Sequence, residues 1–135
     1  MIIGATSGDT GSAAMEAFRD RALVDVVFLH PAGRTTEVQR RQMTTIEAPN
    51  VHAVAVDGTF DDCQDLVKAA FADPALRARL CLSTANSINF GRLITQFAYY
   101  YWAALRIGGQ VSFAVPSGNF GNVYSGYAPR QNGLA

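Results

Sequence analysis

The sequence predicts an α/β fold, an open and mostly parallel sheet with flanking helices. Short β-branched runs alternate with longer stretches of helical period, and glycine-rich turns stand between several of them. Residues 1–5 read as a first strand, and 11–21 follow as a helix with Ala14, Ala17 and Phe18 at core-facing spacing. A second strand at 25–29 ends at His30 and Pro31, a helix covers 35–45, and a third strand covers 51–56. Gly58 and Thr59 then open a helix whose first turns gather Asp61, Asp62 and Asp65 at the positive end of its dipole. A short helical turn at 74–79 leads to a weak strand at 80–83. A long helix spans 87–107 with Gly108 and Gly109 as its stop, a last strand lies at 111–115, and a further helix begins at 119–127.

Composition narrows the function classes. The 135 residues carry 11 basic and 11 acidic side chains, so no net charge recommends nucleic acid or an anionic membrane as partner. The longest apolar stretch, between Arg92 and Arg106, would reach only ~20 Å as a helix, short of a hydrocarbon core. No secretory pattern opens the chain, and a cytoplasmic location is expected. Cys63 and Cys81 lack metal-ligand spacing and read as two reduced, buried thiols; no metal site is expected. Lys68 is the only lysine, so any chemistry that needs one has a single candidate.

Two loops between a predicted strand and a predicted helix could hold anions. In the first, Thr6, Ser7, Gly8, Asp9, Thr10 and Gly11 set hydroxyls and small residues against helix-start amides that have no internal partner. The alternative is that Asp9 or Thr10 merely caps the helix. A dinucleotide fingerprint would need glycine at Thr6, and no G-K-[ST] triphosphate loop occurs. In the second loop, Ser117, Gly118, Asn119, Phe120, Gly121 and Asn122 could form a nest of amides, or simply a tight turn. Both loops lie at carboxyl ends of strands, where α/β sheets place their ligands.

Four stretches resemble the threonine synthases, fold-type II pyridoxal-phosphate enzymes. They are 4–14 (GATSGDTGSAA), 38–45 (VQRRQMTT), 58–64 (GTFDDCQ) and 86–92 (NSINFGR), with the second loop following. The resemblance implies that residues 1–109 form a small mobile domain and that 110–135 begin the larger one. It also implies that Thr6 to Gly11 grip the substrate carboxylate while Ser117 to Asn122 hold the cofactor phosphate. Asn122 stands where many relatives have aspartate. Asn86, Ser87 and Asn89 would serve as a hinge or lie at the cofactor edge, or else cap the long helix, and Arg40 and Arg41 would tie their helix to neighbouring elements.

Such enzymes need a lysine to hold the cofactor and shuttle protons. In this family it lies upstream of the first loop in a phenylalanine-lysine-aspartate context, which is not in this chain. Lys68 follows aspartates in mid-helix and reads as solvated or salt-bridged. The expectation is therefore an internal segment of a lyase that converts O-phosphohomoserine and water to threonine and phosphate, inactive by itself. Alternatives are a phospho-lyase for a related phosphorylated substrate and a non-catalytic pyridoxal-phosphate-binding module. Self-association, or association with the rest of a parent chain, is expected in either case.

Overall fold

The computed structural model describes residues 1–86, 89–116 and 120–134. Among them are three strands and six helices. They fall into two compact units, Met1–Asn86 and Ser87–Ala135, a division upstream of the 109/110 boundary that the resemblance implies.

The first unit is a parallel sheet in the order β1-β2-β3, made by Ile2–Ala5, Val26–Pro31 and Val51–Val56. Ile2 is in register with Val26, and Val26 with Val51. Helix α1, Asp9–Phe18, links β1 to β2, and α2, Glu37–Thr44, links β2 to β3. Their Met15 and Met43 close over Val26, Phe28 and Val51 to make the core. Ala14 and Phe18 pack at its margin as expected. Ala17 is exposed, because the burying stripe of α1 runs through Met15 instead. From Val26 to Pro31 only Val27 of β2 is not buried, which is how a strand covered on both faces behaves.

Helix α3, Phe60–Ala72, packs on β1 and β2. A capping box starts it: the Thr59 hydroxyl accepts from the Asp62 amide at 3.2 Å, and the Asp62 carboxylate accepts from the Thr59 amide at 2.6 Å. Helix α4, Pro74–Leu80, begins with proline at its first position and an Asp73 cap, and ends at Cys81 in a left-handed conformation. That terminal position exposes Cys81, contrary to the expected pair of buried thiols, whereas Cys63 is fully buried. The weak strand expected at 80–83 is reduced to one parallel bridge, Ser83 beside Ile2 on the outer edge of β1.

The second unit consists of α5, Phe90–Ile107, and α6, Gly121–Gln131. Asn89 caps α5 by accepting from the Gly91 amide at 2.9 Å, and Gly108 ends it at φ 74°, so the capping reading of this asparagine holds. Leu93, Tyr100 and Ala104 of α5 are buried, as are Gly121, Ser125 and Pro129 of α6, whose four-residue spacing makes a narrow stripe. Small residues there allow close approach: a Cβ on Gly126 would lie 2.7 Å from the Tyr100 ring. Residues 111–115 are not a strand among the described residues. An extended run becomes a strand only where a neighbouring backbone completes its ladder.

Candidate functional site

The first loop sits at the carboxyl end of β1 and is built around one side chain. Thr6 is 3% exposed, and its hydroxyl oxygen accepts from the amides of both Gly8 and Gly11 at 3.0 Å. The hydroxyl thus curls the loop into the first turn of α1. Neither Asp9 nor Thr10 caps that helix; Gly8, which has no side chain, occupies the cap position, and Thr6 takes the amides of Gly8 and Gly11 instead. The capping alternative for this loop is therefore set aside.

Two glycines make the curl possible. Gly8 has φ 153°, and a Cβ on it would meet the Gln39 side chain at 2.5 Å. A Cβ on Gly11 would meet Thr6 Cγ2 at 2.4 Å. Gln39, on α2, also donates from Nε2 to the Asp9 carboxylate at 3.1 Å and joins the Thr36 capping box. The loop is thereby held from a second helix. Sequence reading passed over Gln39 as a site residue, although it lies within the stretch 38–45.

What the loop presents outward is Ser7, exposed, Thr10, half-buried, and the amides of Asp9 and Thr10 in a helical turn that offers them no internal acceptor. This is a donor set for a small anion. The Asp9 carboxylate would oppose such an anion, and Gln39 turns it to its own hydrogen bond. His30, at the end of β2, is 4% exposed and its Nδ1 has no hydrogen-bond partner among the described residues.

In the second loop, Ser117, Gly118 and Asn119 lie outside the described residues. Phe120 is left-handed at φ 59° and stands at the cap position of α6. Gly121 is buried. The Asn122 side chain turns toward α5: it accepts from the Tyr100 hydroxyl at 2.6 Å and donates to Gln96 at 2.6 Å.

Neither loop contains a lysine or a cysteine in its sequence. Lys68 is exposed on α3 and donates to Asp65 at 2.8 Å. That hydrogen bond holds its ammonium above the ordinary lysine range, keeping it protonated. Burial pushes the Cys63 thiol up, with Asp62 adding to it, which makes it a poor thiolate. Arg40 and Arg41 both reach back to Glu37 on their own helix at 2.8 Å, so the expected tie to neighbouring elements is replaced by an intrahelical one. No cluster of three metal-ligating side chains occurs among the described residues, and no helix there is long and apolar enough to cross a membrane.

No protein-family model matches the chain. It is similar to the threonine synthase of Pseudomonas aeruginosa, 51% identical over 99% of this chain and 29% of that protein. It is also similar to that of Escherichia coli, 43% identical over 98% of this chain and 32% of the other. A crystal structure of pyridoxal-phosphate-bound threonine synthase from Brucella melitensis superposes with a TM-score of 0.88 at 51% identity, covering 98% of this chain and 29% of that one. Yeast threonine synthase superposes at 0.85 and 43% identity, covering 98% and 27%. The chain thus spans about 30% of the length of the relatives it matches.

Proposed function

We propose that this chain, homologous along nearly its whole length to threonine synthases, performs two binding tasks of such an enzyme and none of its covalent chemistry. In this reading the loop of Thr6, Ser7, Gly8, Asp9, Thr10 and Gly11 takes the carboxylate of an amino-acid substrate, O-phosphohomoserine. The loop of Ser117 to Asn122 takes the phosphate of pyridoxal 5'-phosphate. Residues 1–109 act as the small mobile domain and 110–135 as the beginning of the larger one. The whole enzyme would be a cytoplasmic lyase of threonine biosynthesis, converting its substrate and water to threonine and phosphate.

The observation that carries the reading is the Thr6 oxygen on two loop amides, which shapes the helix start into an anion cradle that glycine alone can line. The donors fit a carboxylate. Thr6 shapes the cradle, Ser7 and Thr10 offer hydroxyls, and Gln39 holds Asp9 aside. When bound, the cofactor supplies an electron sink. The covalent anchor does not fit: Lys68 is exposed, protonated and paired with Asp65. No chemical step is therefore assigned to this chain's own residues.

Replacing the matching segment of the Pseudomonas aeruginosa protein with this chain tests the reading. The chimera is expected to form threonine from O-phosphohomoserine, while the isolated chain forms none and borohydride leaves Lys68 unlabelled by pyridoxal phosphate. A folded, cofactor-loaded chimera with no turnover refutes it, as does stoichiometric labelling of Lys68.

A further inference from the structure

His30 is 4% exposed, and its Nδ1 has no hydrogen-bond partner among the described residues. Its place follows from the sheet. Gly4 and Phe28 are in register, and a Cβ on Gly4 would meet the Phe28 ring at 2.6 Å, so the two share the face that Met15 of α1 and Met43 of α2 cover. The Thr6 amide donates to the Leu29 carbonyl at 2.9 Å, which carries the parallel ladder one rung past Ala5 and sets Thr6 beside His30. Two residues on from Gly4 and Phe28, Thr6 and His30 return to that same face. There the Thr6 oxygen accepts from two amides, one of them Gly11 of α1, but its hydrogen goes to no acceptor among the described residues. A buried donor without an acceptor thus stands next to a buried nitrogen without a partner.

We propose that the Thr6 hydroxyl and His30 Nδ1 form a latch beneath the first loop, open in this structure and closed when a carboxylate is held on the loop. The proposal rests on the carboxylate reading of that loop. In this structure the two amides hold the Thr6 oxygen beyond bonding reach of Nδ1, and an anion that draws the first turn inward brings it within reach. Closed, the latch donates the Thr6 hydrogen to Nδ1 of the imidazole tautomer that carries its own hydrogen on Nε2. Closure satisfies two buried polar groups at once, each costly to leave unpaired. It also acts on the cradle. A hydroxyl that donates becomes a stronger acceptor, so Thr6 holds the Gly8 and Gly11 amides more firmly and fixes the turn that presents the amides of Asp9 and Thr10. A fixed turn loses less freedom when a ligand arrives and binds it more tightly. By reciprocity the ligand favours the closed latch to the same degree. His30 is thus a positioning residue that acts on the carboxylate through Thr6.

The chain has two histidines, and His52 on β3 is exposed, so the imidazole nitrogens of buried His30 are readily told apart by nitrogen NMR of the full chain. Added O-phosphohomoserine is expected to move the His30 Nδ1 resonance toward that of a hydrogen-bonded acceptor. Aminopropyl phosphate, the same molecule without its carboxylate, should leave it in place. His30→Leu should weaken O-phosphohomoserine binding by about three- to tenfold, the effect of one lost hydrogen bond. His30→Asn, whose side-chain oxygen stands near the place of Nδ1, should restore most of it. An Nδ1 already bonded before ligand is added, or unmoved by O-phosphohomoserine that binds, overturns the proposal alone. So does a leucine variant that binds as wild type, or an asparagine variant that binds no better than the leucine one. A wild-type chain that binds O-phosphohomoserine no better than aminopropyl phosphate overturns the reading of the loop and the proposal together. The Nδ1 readout uses only the wild-type protein and decides the matter even where a variant fails to fold.

Discussion

Thr6 shows how much one oxygen can decide. Its hydroxyl satisfies two amides inside a buried loop, and valine has the same shape without the acceptor. Thr6→Val should therefore leave both amides unpaired and cost about 2 to 4 kcal/mol in urea unfolding, with Thr6→Ser recovering most of it. Asp62 offers a pH-dependent counterpart. The Thr59 amide, and then the Thr59 hydroxyl, hold its carboxyl below the ordinary aspartate value of 3.8. A group depressed on folding contributes fully above its unfolded value and loses that contribution as pH falls through the folded one. Asp62→Ala should accordingly lower the urea midpoint at pH 7, and the gap to wild type should close by about pH 2. The Thr-x-x-Asp spacing of this cap was legible in the sequence. The inward turn of Thr6 was not, because it depends on where the loop's own amides come to lie.

At the scale of elements, β3 occupies the run its β-branched pattern marked, 51–56, and every expected helix is present. Boundaries moved where capping decided them: α1 begins at Asp9, ahead of its expected start at Gly11, because Thr6 and Gly8 turn the chain early. Core placement on α1 also moved. Met15, fully buried between α2 and the sheet, is its main anchor. Met15→Ala should remove about 2 to 5 kcal/mol of stability, measured by thermal or urea unfolding, while Ala17→Ser on the exposed side should change it little. The expected strand at 111–115 is absent for a reason no local pattern reports, namely that strands are made by their neighbours. Asn122, read as part of the phosphate-holding loop, has its side chain engaged by Gln96 and Tyr100.

At the scale of the whole molecule, α5 leaves a row of large apolar side chains in solvent. Phe90, Ile94, Trp102 and Leu105 are each at least half exposed, on one helix of 18 residues. Apolar surface of this extent invites association. The chain should bind an apolar-surface dye at neutral pH and sediment with a concentration-dependent mass; a dye-silent monomer at all concentrations would contradict this. The sequence by itself determined the α/β alternation, the small-residue loop after β1, the likeness to threonine synthases and the isolation of Lys68 among aspartates. These are legible because periodicity, capping spacing and residue identity act over a few positions. Only tertiary structure decided that Thr6 serves its own loop, that Gln39 reaches across from α2, and that Asn122 answers to α5. Each of these is a hydrogen bond between residues far enough apart in the chain, or oriented by enough packing, that its partner is chosen by the folded backbone.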